Sequence, residues 1–468
     1  MATTKKRAAT KRPAPATRTR RPAPNGDAVR VRMYNVGFGD CFLVTIPSTA
    51  GRPTRILFDC GSIAQAPGIP IDDVLTQLWA DCTDPGASHP RIDVVVATHR
   101  HRDHVSGFAK DGWDQVEVQE VWMPWTEHPT NPDARRIRET QARLALALES
   151  QVKAKLADPA MDTSQRTVMA SNLELVTNAL TNDRAMSTLH DGLAGSPKRR
   201  FLPDESLAGL ILRTDALPDV TAYILGPSKV ESVIRDMEPK TGESYLRLLD
   251  SLDDAGGVPD PFAPEWAIEP AHYAAAGQQS ASISAGQAPD VWAHTLLKLA
   301  GGVFPVLSAT DQDAINKLGD LELAALAALD KAVNGTSLMI VLKIGQTHLL
   351  FPGDAQWGTW TAALSNPDSK AVLKKTKFLK VGHHGSHNAT PPTFVKTFIK
   401  DRDVRAMVST RPVSNWPDIP RVPLLDDLTA CGCSWVRSDK PETGDPGIFE
   451  KADKFIDILI GSNQNGDE

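Results

Sequence analysis

The chain has 468 residues, 41% of them hydrophobic and 23% charged, with a net charge of −6. That suits a globular protein with a large core and room for two or three domains. No stretch approaches the roughly 20 apolar residues of a membrane-spanning helix. The basic N-terminus is not followed by the apolar segment of a secretory signal. Five cysteines, Cys41, Cys60, Cys82, Cys431 and Cys433, are scattered and odd in number. Reduced thiols in the cytoplasm are therefore expected, not a disulfide framework, and Cys431-Gly432-Cys433 reads as structural.

Residues 1–28 hold eight Lys and Arg against one Asp, so the remainder is strongly acidic. Rich in Ala, Pro and Thr, this segment reads as a disordered basic tail. It either holds a polyanion near the body by charge or serves only solubility.

The first strand is expected at Val31–Tyr34, followed by a glycine loop, Asn35-Val36-Gly37-Phe38-Gly39-Asp40. Further strands are expected at Cys41–Ile46, Arg55–Phe58 (ending at Asp59-Cys60-Gly61), Ile92–Ala97 and Val116–Trp122. From about Asp133 the pattern turns helical, with Leu144, Leu148, Val152 and Leu156 on one face and Pro159 as a stop. A second helix is expected from Thr163 or Ser164 to about Met186, and a strand at Thr221–Leu225. Residues 256–289 read as a surface loop, with helices at Val291–Leu299 and Asp311–Val333. Strands return at Leu338–Ile344, His348–Phe351, Phe378–Val381 and Val404–Val408.

Strand-rich ends around helical material suggest an α/β fold, an αββα sandwich with a large, mostly helical insertion. One domain is expected over 29–460, interrupted at about 128–332, with a core strand returning at 219–227 and a C-terminal tail at 461–468.

The most informative stretch is Thr98-His99-Arg100-His101-Arg102-Asp103-His104. Three imidazoles and a carboxylate within six residues, on a loop that ends a strand, suit zinc, with manganese or iron as substitutes. The spacing fits two adjacent ions, His99 and His101 facing one, Asp103 and His104 the other. Two more strand ends carry matching groups. Asp354, after Pro352-Gly353, can bridge two cations. His383, the first residue of His383-His384-Gly385-Ser386-His387, is the best-placed further ligand. His384 and His387 read as phosphate contacts, proton carriers or plain loop residues.

With these segments assembled, the chain resembles metallo-β-lactamase-fold hydrolases, and among them the soluble hydrolase domain of ComEC-type competence proteins. The resemblance rests on Asn35 to Asp40, Asp59-Cys60-Gly61, His99 to His104, Asn334 to Leu338, Gly353-Asp354, His383 to Ser386 and the closing Pro423–Asp439 segment. It covers about 30–126, 219–227 and 334–460. Asn35 replaces the family's first aspartate, and Val422-Pro423 stands where a His-Pro is usual. No histidine occupies the usual place of the first metal's third ligand; His348 lies in a strand interior.

The resemblance implies hydrolysis by a hydroxide activated on paired zinc (or manganese) ions. It assigns His99 and His101 to one ion, Asp103, His104 and His383 to the other, and Asp354 as bridge. Asp103 would also orient the nucleophile. Asp40 and Asp59 would orient imidazoles, and His384 or Ser386 would hold an anionic oxygen. The leading expectation is a phosphodiesterase or nuclease acting on nucleic acid or another phosphodiester. Alternatives are hydrolysis of a small ester, lactone or β-lactam, or an interaction module whose insertion docks a protein partner.

Overall fold

β-branched and aromatic residues pack well on a pleated surface with both faces covered, and the apolar runs of this chain form strands accordingly. The computed structural model describes residues 28–48, 51–163, 182–237, 242–245, 328–413 and 416–461, with a few more positions around 166–178 and 239–240. The basic tail, the 256–289 loop, the Val291–Leu299 helix and most of Asp311–Val333 lie outside the described residues.

The described strands form two large mixed sheets. The first has the order β14 (Phe449–Lys451), β15 (Phe455–Ile460), β1 (Val29–Tyr34), β2 (Phe42–Ile46), β3 (Thr54–Phe58), β4 (Arg91–Val96), β5 (Glu117–Pro124) and β6 (Lys198–Leu202). Strands β3 to β6 run parallel and the rest antiparallel. The second has the order β13 (Ser434–Arg437), β12 (Arg405–Val408), β11 (Thr376–Lys380), β10 (Thr347–Phe351), β9 (Met339–Ile344), β8 (Val220–Gly226) and β7 (Ile211–Leu212). Here β10 to β13 are parallel.

One apolar cluster, including Val44, Phe58, Val94, Leu342, Phe351 and Phe378, fills the space between the sheets. Phe58 of one sheet stacks on Phe351 of the other at 3.9 Å. A second cluster joins the outer face of the first sheet to Val74, Leu75 and Leu78 of helix α1 (Ile71–Cys82). A third joins the second sheet to Trp360, Leu424 and Leu428, which lie on helices Trp357–Ser365 and Val422–Ala430. The layers therefore run helix, sheet, sheet, helix.

The stretch expected as a helical insertion is only partly so. Helix α3 (Pro132–Leu156) is capped by Asn131, whose side chain accepts from Ala134 N, and buries Leu144, Leu148 and Val152. The same stretch also supplies β6 and β7. Strand β6, with its Lys198-Arg199-Arg200 run, is not among the expected strands. It pairs with β5 because Arg200 Nε and Nη2 donate to Glu120 at 2.8 and 3.0 Å, a buried bidentate pair. No described helix is long and apolar enough to cross a membrane.

In parallel α/β sheets, ligand sites form beyond the carboxyl ends of the strands. Here the ends of β3, β4, β10, β11 and β12 deliver Asp59, Thr98 to His104, Asp354, His383 to Ser386, and Ser409 to one edge of the sandwich.

Candidate metal centre

Thr98 begins the site. Its backbone N and its Oγ1 each donate to Asp59, at 2.7 Å to Oδ1 and Oδ2 respectively, while its carbonyl accepts from Leu338 N of the second sheet at 2.8 Å. The loop then turns into the one-turn helix α2 (Arg102–Val105). This turn sits directly on the Asp59-Cys60-Gly61 strand end: Cys60 N donates to His104 O, and Asp40 N to Asp103 O. A Cβ at Gly61 would lie 2.6 Å from backbone atoms of Arg102, Asp103 and His104.

Four buried side chains meet at the centre. Ligand atoms of Asp103, His104, Asp354 and His384 all lie within 4.8 Å of one another. His104 Nε2 is 3.2 Å from Asp354 Oδ2, and His384 Nε2 is 3.0 Å from Asp103 Oδ2. Both rings turn their other nitrogen outward. His104 Nδ1 lies 2.8 Å from Asp59 Oδ2, and His384 Nδ1 lies 2.8 Å from Ser409 O. Such outer partners fix ring tautomer and orientation in metal sites.

His99 and His101 form a pair beside this group, with His99 Nε2 3.1 Å from His101 Nδ1 and the His99 ring 4.1 Å from that of His104. Among the described residues no third carboxylate or imidazole closes on this pair as tightly as the group of four does on itself. His348 is far from a ligand role: it is buried in β10, bonded to Gln346 O and stacked against Tyr223.

The two adjacent histidines of the second sheet take different places. His384, expected as a phosphate contact, a proton carrier or a plain loop residue, turns into the group of four. His383, expected as the ligand, stays partly exposed, its Nε2 3.9 Å from Asp354 and 3.5 Å from Asn334 Nδ2. The divergence comes from the backbone. His383 (φ 45°, ψ 51°), His384 (φ 53°, ψ 16°) and Gly385 (φ 86°) are all left-handed. For non-glycine residues this costs about 1–3 kcal/mol each and is concentrated at functional sites. Ser386 Oγ lies 3.4 Å from both Asn388 Oδ1 and His387 Nδ1, and neither Ser386 nor His387 belongs to the central group.

Lys380 is the centre's buried cation and sequence patterning gave it no role. It pairs with Asp40, and its Nζ lies 3.3 Å from Asp354 Oδ1. Against this one ammonium stand four buried carboxylates, Asp40, Asp59, Asp103 and Asp354. The imbalance shows in the titrating groups. Burial opposes charge on His104, but Asp354, Asp59 and Asp103 outweigh it and raise the imidazole well above its ordinary value. His384 is also raised, its bond to Asp103 overcoming burial. Burial likewise opposes charge on Asp103 and Asp354, yet His104 leads the groups that hold both carboxyls below the usual range. Burial, with His104 and His101 nearby, keeps His99 well below an ordinary imidazole. The surrounding carboxylates thus favour positive charge at His104 and His384. Asp103 Oδ1 has no hydrogen-bond partner among the described residues, as expected of an atom reserved for a ligand. The donor set, imidazole plus carboxylate, suits zinc or manganese.

Two side chains from the insertion hold the backbone of the Thr98–His104 loop. Asn178 Oδ1 accepts from Arg102 N at 2.8 Å, and Asn182 Nδ2 donates to Arg100 O at 2.6 Å. Both asparagines are buried, and no local motif marks them. On the other side, Phe38 lies 4.4 Å from the His384 ring and is stacked in turn by the half-buried Trp416. Compared with protein-family models and with curated proteins, the chain matches none significantly.

Proposed function

We propose that this protein is a metal-dependent hydrolase of the metallo-β-lactamase type, acting as a phosphodiesterase or nuclease. The observation that carries the reading is the convergence of Asp103 and His104 from one sheet with Asp354 and His384 from the other, each ring backed by an outer acceptor. Asp103, His104, Asp354 and His384 would hold one cation and His99 and His101 a second; Lys380 and His383 N lie beside Asp354 Oδ1, which leaves Oδ2 facing His104. When bound, the cations supply an acidified water and positive charge for the developing oxyanion.

The protein's own groups do the rest. Lys380 keeps Asp354 ionised and in place. Asp103, through its free Oδ1, orients the attacking water. His383, at the open side of the centre, donates an N–H to an anionic substrate oxygen. Arg102, with its side chain exposed beside the ligands, places a permanent cation at the mouth and favours an anionic substrate. The choice of phosphodiester rests also on the resemblance to ComEC-type hydrolase domains and on the basic tail.

The test is turnover by zinc- or manganese-loaded full-length protein on bis(p-nitrophenyl) phosphate, single-stranded DNA, RNA and a lactone. Metal-dependent cleavage of the phosphodiesters is expected. Cleavage of the lactone alone would replace this substrate class, and no turnover of any substrate would count against catalysis itself.

A further inference from the structure

Three of the four imidazoles His99, His101, His104 and His384 have an outer partner within 3.2 Å: Thr98 Oγ1 for His99, Asp59 for His104 and Ser409 O for His384. His101 is the exception. Its ring is 2% exposed, and its Nε2 has no hydrogen-bond partner among the described residues. Its Nδ1, 3.1 Å from His99 Nε2, is on the inner side. On the opposite edge of the ring, Oδ1 of the Asp330 carboxylate lies 3.8 Å from Nε2. Asp330 lies in the helical segment 328–334, which returns the chain from the insertion to the core. Its other oxygen accepts from Asn334 Nδ2 at 3.1 Å, so the carboxylate is aimed and not free to swing.

We infer that Asp330 is a positioning residue for the cation position formed by His99 and His101. Its carboxylate draws the ring proton of His101 to Nε2, which leaves the Nδ1 lone pair facing inward beside His99 Nε2. The arrangement is a longer counterpart, with a residue from the insertion, of the carboxylate–imidazole pairing that Asp59 gives His104: 3.8 Å here against 2.8 Å there.

Two consequences follow for the ions. The position built from Asp103, His104, Asp354 and His384 offers four ligand atoms within 4.8 Å of one another and would fill first. The position at His99 and His101 has fewer ligands and depends on Asp330, so it is the weaker. This rests on the metal-binding reading above, and the test separates the two.

The experiment titrates zinc into metal-free full-length protein against a chromophoric chelator, for wild type, Asp330→Ala and Asp330→Asn. Cobalt(II) absorption and the 15N shifts of the His101 ring are recorded in parallel. Wild type is expected to take two ions of unequal affinity. Asp330→Ala is expected to weaken the second by about 10–100-fold, leave the first unchanged, and shift the His101 ring away from the Nε2–H tautomer. Asp330→Asn, which keeps a neutral acceptor, should fall between. Retention of the first ion by the variants shows that they are folded. Unchanged affinity for both ions and an unchanged His101 tautomer in Asp330→Ala would overturn the role of Asp330. A wild-type protein that binds no ion would overturn the metal reading itself.

Discussion

His384 Nε2 and Asp103 Oδ2 lie 3.0 Å apart although 281 positions separate them in the chain. That contact joins the two sheets at the centre of the site. It also sets the roles of two neighbouring histidines, since His384 is inside and His383 at the rim. His384→Ala should therefore remove the tighter cation, a larger loss than the factor of about 10–100 typical of losing an outer partner. His383→Ala should keep that cation and lose substrate affinity or turnover. Zinc titration beside phosphodiester kinetics distinguishes them, and equal metal loss in both variants would refute the assignment.

Gly61 places the Asp59 strand end against the turn that carries Asp103 and His104. A methyl group there meets three backbone atoms at 2.6 Å, and backbone cannot step aside as a side-chain tip can. Gly61→Ala should cost about 1–3 kcal/mol, the usual range for overpacking, and should lower metal affinity. Gly68, where an added Cβ would meet nothing within 4 Å, offers a comparison in which only the positive φ is strained. Thermal unfolding with and without zinc reads both effects.

The insertion's grip on the metal loop predicts a coupling between distant segments. Asn182→Ala strips Arg100 O of its side-chain donor inside the protein, at a cost of about 1–3 kcal/mol for the group left unsatisfied. Zinc affinity should fall with stability, because the carbonyl lies between the two ligands His99 and His101. A variant that loses stability but keeps full zinc affinity would show that the loop is held without it.

His348 gives the pH dependence away from the site. Burial lowers this imidazole to about 4, against the weaker opposing effect of its bond to Gln346 O. The folded state holds it neutral, so its contribution to stability is complete above the unfolded value near 6.5. That contribution is lost as pH falls from about 6.5 toward 4, where the unfolded chain binds the extra proton. Its size is on the order of 3 kcal/mol. His348→Gln should flatten the fall of melting temperature over that window, and a slope identical to wild type would exclude the effect.

Much of this centre was legible in the chain. His99, His101, Asp103 and His104 crowd six residues at a strand end, and Asp354 and His383-His384 close two other strands. Which of the paired histidines turns inward was not legible, because it depends on three successive left-handed residues. Lys380 reads as an ordinary strand residue, and only the sheet register brings it to Asp40 and Asp354. Asn178, Asn182 and Asp330 carry no motif at all; their partners are set by how the insertion packs. In the fold, β6 was not legible because it opens with three charged residues, and only its pairing with β5 brings Glu120 to neutralise Arg200.

Asp103 and His104 from one sheet and Asp354 and His384 from the other are proposed to form a cation site. Metal analysis of the purified full-length protein, beside the Asp103→Ala/His384→Ala double variant, tests this most directly. Wild type should carry zinc or manganese, or take it up after reconstitution, and the double variant should carry much less while keeping the wild-type circular dichroism spectrum. A wild-type protein that stays metal-free through reconstitution, or a double variant that binds as much metal as wild type, would contradict the account.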